Sequence, residues 1–264
     1  MNFTKMHGCG NDYIFFNCME GEPYDLPGLA RRLSDRRFGV GGDGIICVCP
    51  SRQADFKMRM FNADGSEGAM CGNGIRCFGK YVYDKGLTGK TCLVIETLSG
   101  NRELSLMIRN ARVEGAVVGM GVPVLQPSVQ ITVKGNTYTA IQASIGNPHA
   151  VVEVDDPAGL DLRTVGPAVE RCPVFPRRVN AEFVRVLNRN ELQMRVWERG
   201  SGETLACGTG ACASAAAMMA AGRLDREAAV HLAGGDLQVR WDEKSGQMFM
   251  TGPAVTIFDG KLAD

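Results

Sequence analysis

A short cysteine–glycine motif occurs twice in the sequence, and much of the remaining chain repeats at the same spacing. Cys71-Gly72-Asn73-Gly74 returns 136 residues later as Cys207-Gly208-Thr209-Gly210. The same offset aligns further pairs, namely Gly10-Asn11 with Gly146-Asn147, Met58-Arg59 with Met194-Arg195, Glu67 with Glu203, Gly86 with Gly222, and aromatic Phe61 with aromatic Trp197. An offset that stays constant along the chain indicates an internal duplication. We therefore expect two similar domains whose duplicated motifs face each other across a pseudo-twofold axis.

Hydrophobic periodicity predicts the same order of elements in each half. In the first half we expect a short amphipathic helix over 26–33, strands over 45–49 and 56–61, and a helix over 75–83. The corresponding segments of the second half are 164–171, 183–187, 192–197 and a helix over 211–221, preceded by a strand over 150–154. Between the halves, 104–125 and 131–141 are predicted as strands separated by Pro127. Strands outnumber helices, which favours an α+β fold over a doubly wound sheet.

Charge and hydropathy exclude several classes of partner. Lys plus Arg and Asp plus Glu each number 29, so the formal net charge is zero. A neutral chain has no long-range attraction for nucleic acid or an anionic membrane. No stretch approaches 18 consecutive apolar residues, and the N-terminal segment lacks the apolar core of a secretory signal. We expect a cytoplasmic protein that acts on a small molecule, with no nucleic acid and no membrane as partner.

The ten cysteines do not indicate a disulfide framework or a metal site. A chain of this length without a secretory signal is expected to hold reduced thiols. No pair has C-x-x-C spacing and there are only three histidines, so we expect no structural zinc and no other metal. Most of the thiols are expected to be small buried hydrophobic groups, namely Cys9, Cys18, Cys47, Cys49, Cys92 and Cys172. Cys77 and Cys212 recur at the offset inside predicted helices and are also expected to pack.

Two glycine-rich segments resemble phosphate-binding loops without meeting their requirements. The run from Gly39 to Gly44 has the G-x-G-x-x-G spacing, but it precedes the apolar residues 45–49, which predict a strand instead of a helix. Gly89-Lys90-Thr91 resembles the end of a P-loop, but Asp84 stands where the first glycine should be. We therefore expect the first segment to form a turn into a strand, and neither to bind a nucleotide.

Each repeated motif places a cysteine in a glycine-rich loop just before a helix. Free N–H groups at a helix start attract anions, and glycines let a ligand approach the backbone. A favourable helix N-terminus contributes up to about 2 kcal/mol, which would lower the pKa of a thiol from about 8.5 to roughly 7. Such a thiol suits general acid–base catalysis. One thiolate could remove a proton from an α-amino acid while the second thiol returns a proton to the opposite face. This scheme needs no cofactor, and no lysine beside a phosphate cradle indicates pyridoxal phosphate.

Several blocks together give the chain a resemblance to the diaminopimelate epimerase family. They are His7-Gly-Cys-Gly-Asn-Asp12, Asn62-Ala-Asp-Gly-Ser-Glu67, Cys71-Gly-Asn-Gly-Ile-Arg-Cys77, Gly146-Asn-Pro-His149, Asn180-Ala-Glu182, Glu198-Arg199, Ala206-Cys-Gly-Thr-Gly-Ala-Cys212 and Met250-Thr-Gly-Pro253. The resemblance implies a pyridoxal-independent, two-base epimerase that interconverts LL- and meso-diaminopimelate, a precursor of lysine and peptidoglycan. It also implies a homodimer.

The resemblance implies a fold as well. Two pseudo-symmetric domains are expected, each a barrel-like, mainly antiparallel β-sheet wrapped around a central helix, with a final strand that returns to the first domain. We place the first domain at residues 1–113 plus 254–264, with the Cys71 loop. The second domain is placed at residues 114–253, with the Cys207 loop.

Site residues follow from the family motifs at the matching positions of this chain. Cys71 and Cys207 would be acid and base, exchanging roles with reaction direction. His149 and Glu198 would assist proton transfer or hold the reacting ammonium. The loop contacts to the reacting carboxylate would come from Gly72, Asn73, Gly208 and Thr209. The remainder of the substrate would be held by Asn11, Asn62, Asn147, Asn180, Glu198 and Arg199, where Arg199 suits a bidentate grip on a carboxylate.

Other interpretations of these residues stay open at this point. Asn11 and Asn62 could be turn residues, His149 a loop histidine, and Glu198-Arg199 a surface ion pair. A racemase of proline, hydroxyproline or histidine on the same fold is an alternative, although proline racemases typically have histidine where this chain has Asn73. A Cys–His hydrolase using His149 and a thiol redox or binding module are further alternatives.

Two positions depart from the family pattern. Gly44 stands where some members carry a glutamine that contacts substrate, so that contact would be absent or replaced. Cys9 is not the residue expected in the first loop, and it adds a third thiol near the expected site.

Overall fold

The computed structural model describes residues 1–263 and has the α+β class expected from the sequence. Within that range it contains eighteen strands and four helices. The chain forms two compact units. Unit 1 comprises Met1–Val118 and the chain from Gly252 onward, and unit 2 comprises Gly119–Thr251. No helix in residues 1–263 is long and apolar enough to span a membrane.

Unit 1 is built on a mixed, mainly antiparallel sheet. Its elements are β1 (Asn2–Gly8), β2 (Asn11–Asn17), α1 (Leu26–Ser34), β3 (Gly44–Cys49), β4 (Phe56–Asn62), β5 (Glu67–Gly68), α2 (Gly72–Asp84), β6 (Cys92–Glu96), β7 (Arg102–Arg109), β8 (Arg112–Gly121) and β18 (Val255–Lys261). The strands are hydrogen-bonded in the order β18-β1-β2-β3-β4-β6-β7-β8, with β5 also on β4. Only the β2–β3 and β4–β6 pairs of this series are parallel.

Unit 2 repeats this topology pair for pair. Its elements are β9 (Val124–Val133), β10 (Asn136–Ser144), β11 (Pro148–Glu153), α3 (Leu162–Glu170), β12 (Asn180–Asn188), β13 (Glu191–Glu198), β14 (Gly202–Thr204), α4 (Gly208–Ala220), β15 (Glu227–Leu232), β16 (Gly235–Trp241) and β17 (Met248–Pro253). The order is β9-β10-β11-β12-β13-β15-β16-β17, with β14 on β13 and parallel pairs at β11–β12 and β13–β15. The parallel pairs thus fall at corresponding places in the two units.

A helix lies at the centre of each sheet. Helix α2 packs against β1, β2, β3 and β7, and α4 packs against β10 to β13, β15 and β16. Nearly every residue of both helices is buried, as expected for α4 from its apolar sequence. A helix buried on all sides by one curved sheet is the barrel-like arrangement expected for each unit.

The second face of each sheet is covered by the shorter helix. In unit 1, Leu29 and Leu33 of α1 join Ile14, Phe16 and Ile45 in one apolar cluster. The neighbouring Phe15 points the other way and stacks on Tyr81 of α2, with ring centroids 5.8 Å apart. Because both faces of the central strands are buried, their sequences are continuous apolar runs instead of alternating ones. An equivalent cluster links α3 to β11 and β12 in unit 2.

The region predicted as two long strands contains four. Residues 104–125 are divided by a turn at Asn110 and Ala111, whose φ angles are 50° and 59°. A second turn at Lys134-Gly135 divides β9 from β10. Pro127 lies inside β9 and not between strands, so that prediction was wrong. The register between β9 and β10 shifts between Ala140 and Gln142, opposite the segment that contains Pro127. This irregularity accommodates the proline, which has no N–H to donate.

The cysteine predictions hold for all but two positions. Cys9, Cys18, Cys47 and Cys49 are buried, and so are Cys77 in α2 and Cys212 in α4. Cys92 is exposed and Cys172 is half-buried, so both predictions of burial were wrong. Cys92 begins β6, whose buried residues Leu93 and Ile95 alternate with exposed or half-buried ones, and Cys92 lies on the less buried side.

Candidate active site

Cys71 is the N-cap residue of α2. Its backbone is extended, with φ −125° and ψ 120°, and its Sγ accepts a hydrogen bond of 3.3 Å from the N–H of Gly74. A Cβ at Gly74 would lie 2.6 Å from Cδ1 of Ile46, so glycine lets the start of the helix pack closely on β3. The sulfur is therefore held at the end of a helix where N–H groups gather positive charge.

Cys207 has the same local geometry in unit 2. It is the N-cap of α4, with φ −124° and ψ 110°, and its Sγ accepts a hydrogen bond of 3.3 Å from the N–H of Gly210. A Cβ at Gly210 would lie 2.7 Å from Oε1 of Glu182 on β12. The duplicated motif thus builds the same thiol position twice, with different side chains beneath the helix start.

Amide groups surround Cys71. Oδ1 of Asn11 lies 3.1 Å from the Cys71 Sγ and accepts a longer bond of 3.4 Å from Asn73. The Asn11 Nδ2 donates to Asp43 Oδ2 at 2.7 Å, which fixes the amide with its oxygen toward the thiol. Arg76, fully buried, donates to the Gly72 carbonyl and to Asn73 Oδ1, both at 3.0 Å. Three of the predicted site residues, Asn11, Gly72 and Asn73, therefore meet around Cys71.

Asn62 lies apart from this hydrogen-bonded group. It ends β4, pairs with Gly44 of β3, and its Nδ2 donates to Ser66 Oγ at 3.0 Å. Its Nδ2 group is thus hydrogen-bonded within its own turn. Gly44 leaves no room for a side chain, because a Cβ there would lie 2.1 Å from the carbonyl oxygen of Phe61.

A hydrogen-bonded chain of side chains leads away from Cys207. The Cys207 Sγ and Thr209 Oγ1 are 3.5 Å apart, and Asn147 Nδ2 donates to the same Thr209 oxygen at 3.2 Å. Asn147 Oδ1 lies 3.0 Å from Nε2 of His149, and His149 Nδ1 lies 2.6 Å from Oε1 of Glu182. His149 is a buried residue of β11, so the alternative of a loop histidine was wrong.

Glu198 and Arg199 are positioned by the end of β13. Glu198 accepts a hydrogen bond of 2.5 Å from Thr204 Oγ1. Asn180 Oδ1 accepts from the N–H of Arg199 at 2.8 Å, so Asn180 fixes the backbone of this turn. The Arg199 guanidinium donates to the carbonyl of Arg177 at 3.1 Å. Burial raises the pKa of the Glu198 carboxyl above its ordinary value, and the nearby charge of Glu182 raises it further.

The two carboxyl groups oppose ionisation of Cys207. Burial raises the pKa of the Cys207 thiol well above its ordinary value, and the charges of Glu198 and Glu182 add to this effect. Hydrogen bonds from Thr209 and from the N–H of Gly210 act in the opposite direction without overcoming it. The sequence-based expectation of a thiol pKa near 7 was therefore wrong for Cys207, because it counted the helix start and omitted burial and neighbouring charge.

Two side chains of these surroundings were not predicted as site residues. Tyr13 is buried beside Cys71, and the pKa of its phenol is raised well above the ordinary value by burial and then by Cys71. Glu182 pairs with His149. The 136-residue offset gives a signal for both, because the two copies differ at these positions: it aligns Tyr13 with His149 and Ile46 with Glu182.

Comparison with known proteins identifies the family. The family model described as diaminopimelate epimerase matches residues 3–126 and 141–257. The chain belongs to the diaminopimelate epimerase family. A diaminopimelate epimerase of Moorella thermoacetica is 53% identical over 274 residues, covering 98% of each chain. Another, of Acetivibrio thermocellus, is 47% identical over 275 residues, covering 99% of this chain and 98% of that relative. As a member of the diaminopimelate epimerase family, the chain is an amino-acid epimerase.

Solved structures share the fold at low sequence identity. A hydroxyproline epimerase from Agrobacterium vitis has a TM-score of 0.77 at 16% identity, covering 98% of this chain and 91% of that one. A phenazine biosynthesis protein of the PhzF family from Bacillus anthracis has a TM-score of 0.75 at 17% identity, covering 100% and 99%. The fold is therefore common to several enzymes, and membership of the diaminopimelate epimerase family rests on the sequence relatives.

Proposed function

We propose that this enzyme interconverts LL- and meso-diaminopimelate by proton transfer at one Cα, with Cys71 and Cys207 as its two acid–base groups and without a cofactor. The observation that carries the proposal is the double occurrence of one local arrangement. Each cysteine caps a helix, and each Sγ accepts a hydrogen bond from the N–H three residues on. Duplication explains why the arrangement occurs twice, but a single-thiol reaction gives no reason for both copies to keep a cysteine at the cap.

The proposed reaction balances with one cysteine as thiolate and the other as thiol, so that the two sulfurs share one proton at the start and at the end. One thiolate takes the Cα proton and becomes a thiol, which leaves a carbanion delocalised into the adjacent carboxylate. The other thiol gives its proton to the opposite face of the same carbon and becomes a thiolate. In the reverse direction the two cysteines exchange roles. Inversion by this route requires that both sulfurs reach one Cα from opposite sides.

Helix starts supply the stabilisation that such a carbanion needs. The first N–H groups of a helix have no partner within the helix, and in each loop the N–H three residues after the cysteine donates to its sulfur. We propose that Gly72, Asn73, Gly208 and Thr209 bind the reacting carboxylate and stabilise charge as it develops there. The remainder of the substrate would be held by Asn11, Asn62, Asn147, Asn180, Glu198 and Arg199.

The surroundings of His149 count against a Cys–His hydrolase. A general base acting on Cys207 would need a ring nitrogen directed at the sulfur. Instead, Nδ1 faces Glu182 and Nε2 faces Asn147. We propose that His149 acts on Cys207 through these intermediate side chains and not as a direct base.

Isotope exchange tests the choice of substrate. Purified protein is incubated in heavy water with LL-diaminopimelate, proline, hydroxyproline or histidine, and deuterium at Cα is followed by proton NMR. We expect loss of the Cα proton signal and appearance of the meso isomer with diaminopimelate alone. Exchange into proline or histidine with none into diaminopimelate would contradict the proposal and indicate a racemase of that amino acid instead.

The proposed reaction also suggests a cellular role and assembly. Diaminopimelate of the meso form is a precursor of lysine and peptidoglycan, so we place the enzyme in that biosynthesis. Acid–base work by free thiols needs reduced cysteines, which suits a cytoplasmic location. We propose a homodimer from the family resemblance. Sedimentation equilibrium should give twice the chain mass of 28.4 kDa, and a single-chain mass would remove this part of the proposal.

A further inference from the structure

The two helix starts rest on different side chains at one corresponding position. In unit 1, Ile46 of β3 lies under Gly74, and a Cβ on that glycine would meet its Cδ1. In unit 2, Glu182 of β12 lies under Gly210 in the same way, and it is completely buried. Ile46 shows that the fold accepts an apolar residue at this position. A buried carboxyl group is unfavourable unless it is paired, so its presence under Cys207 calls for a chemical reason.

Glu182 is paired with His149, and hydrogen-bond accounting fixes where the protons lie. Asn147 Nδ2 donates to Thr209, so Asn147 Oδ1 is the acceptor that faces His149 Nε2. Nε2 must therefore carry a proton. At the other side of the ring, one further proton lies in the 2.6 Å contact between Nδ1 and Glu182 Oε1. Glu182 holds this second proton together with Nδ1: an imidazolium faces a carboxylate, or a neutral ring accepts from a protonated Glu182, and in both forms Nε2 donates to Asn147.

The orientation set by Glu182 passes along the chain to the sulfur. With Nε2–H directed at Oδ1, the Asn147 amide keeps its NH2 group toward Thr209. The Thr209 oxygen then accepts from Asn147, and its own O–H is free to be directed at Cys207 Sγ, 3.5 Å away. A hydroxyl donor stabilises a thiolate more than a thiol. The orientation of the Thr209 hydroxyl therefore favours the thiolate of Cys207, and it opposes the charge of Glu182, which raises the pKa of the same thiol.

We propose that Glu182 is a positioning residue of the Cys207 half-site: through His149 and Asn147 it orients the Thr209 hydroxyl as a hydrogen-bond donor to the Cys207 sulfur. The proposal deepens the proposed function and rests on it for the catalytic meaning of Cys207. The hydrogen-bonded arrangement itself is independent of the substrate, so it can be tested on the free protein.

The first test uses the unaltered protein. Nitrogen-15 NMR of histidine-labelled protein reports which ring nitrogens carry protons, and the chain has only His7, His149 and His231 to assign. We expect a protonated Nε2 on His149 at pH 8, the signal being assigned by its loss in His149→Gln. An unprotonated Nε2 would overturn the proposal, because Asn147 would then turn its NH2 group toward the ring.

The second test measures the rate at which iodoacetamide alkylates each cysteine, by peptide mass spectrometry. Glu182→Leu removes the orienting contact and also a charge that raises the pKa of Cys207. We expect the loss of orientation to outweigh the loss of charge and to slow alkylation of Cys207 at pH 8 by about tenfold, equivalent to a rise of about one unit in thiol pKa, with Cys71 unchanged as the internal reference. Glu182→Gln can still donate a hydrogen bond to Nδ1 and should stay within about threefold of the unaltered protein. If Glu182 acted only by its negative charge, both variants would be alkylated faster, and that result would overturn the proposal.

Thr209 provides a second variant at the other end of the chain. Thr209→Val should slow Cys207 alkylation to the same degree as Glu182→Leu. The double variant Glu182→Leu with Thr209→Val should be no slower than either single variant, because Glu182 acts on Cys207 through Thr209. Fully additive losses would overturn the proposal. Glu170→Leu removes another buried carboxyl group of unit 2, one that is not hydrogen-bonded to His149, and should leave the ratio of Cys207 to Cys71 alkylation unchanged.

Failure of this proposal and failure of the proposed function give different results. Absence of epimerase activity with a protonated Nε2 and slowed alkylation would remove the function and leave the positioning role. Full activity with unaltered alkylation in Glu182→Leu would remove the positioning role and leave the proposed function.

Discussion

At the scale of single residues, the two thiols share a backbone position and differ in the charges near them. Cys71 lies among the amides of Asn11 and Asn73, with the buried guanidinium of Arg76 holding that loop. Cys207 lies near the carboxyl groups of Glu198 and Glu182. Burial, and after it these two charges, raise the pKa of the Cys207 thiol above its ordinary value, so this sulfur is expected to be protonated in the free enzyme.

Glu198→Gln tests the electrostatic part of this difference. Burial and the Glu198 charge both raise the pKa of Cys207, so removing the charge should stabilise the thiolate. The midpoint of Cys207 alkylation against pH should move down by about one unit, while the profile of Cys71 stays in place. An unchanged or higher midpoint would show that Glu198 does not control the ionisation of this thiol.

At the scale of elements, the hairpin of β1 and β2 depends on a half-buried ion pair. Asp12 Oδ2 lies 2.7 Å from Nζ of the buried Lys5, and Arg36 donates to both Asp12 oxygens. Burial alone would raise the pKa of Asp12, but the hydrogen bonds from Arg36 and Lys5 outweigh burial and lower it. The pair therefore stabilises the fold only where Asp12 is ionised.

Asp12→Asn should lower the free energy of unfolding by about 3 kcal/mol at pH 7, because it leaves the buried Lys5 without its anion. The lowered pKa fixes the sign of the pH dependence. The stability contributed by ionised Asp12 is present above the ordinary carboxyl pKa of about 4, and it is lost as pH falls through the lowered pKa of the folded protein. Urea unfolding at several pH values should show the difference shrinking in acid. Asp225→Asn, in an exposed pair with Arg189, should change stability by less than about 1 kcal/mol.

Gly44 of β3 is a position where the close approach of β4 excludes any larger residue. A Cβ there would lie 2.1 Å from a backbone oxygen of β4, which cannot move as a side chain could. We expect Gly44→Ala to destabilise the protein by about 1–3 kcal/mol in thermal or urea unfolding. Gly68→Ala, whose Cβ would meet only the flexible side chain of Met60, should cost less. Equal losses in the two variants would mean that β3 and β4 separate easily at this point.

Local signals predicted the elements near the site well, and they failed where tertiary context decides. Amphipathic spacing predicted α1, and the glycine after α2 marked its end. The four strands from β7 to β10 were missed as separate elements because their turns use Asn110, Ala111 and Lys134, and Ala and Lys are uncommon at positive φ. Glu182 and Tyr13 were missed because a buried residue's partners lie on other strands, which local periodicity does not report.

At the scale of the whole molecule, the duplication explains more than any single motif. Arg59 of β4 pairs with Glu67 of β5, and the same pair recurs 136 residues later as Arg195 and Glu203. The order of strands, the places of the parallel pairs and the capped helices recur as well. Repeated ion pairs and repeated caps at one offset are what a duplicated domain leaves behind. The differences between the copies, Tyr13 against His149 and Ile46 against Glu182, then mark where the halves have become specialised.

The need for both copies is tested by removing one thiol at a time. Cys71→Ala and Cys207→Ala are each assayed for conversion of LL- to meso-diaminopimelate, with Cys92→Ala, at an exposed cysteine of β6, as control. Each single removal should reduce turnover by at least about a thousandfold, since a stereoinversion cannot finish with only its donor or only its acceptor of protons, while the control stays active. Substantial turnover in either variant would contradict a reaction shared between two sulfurs.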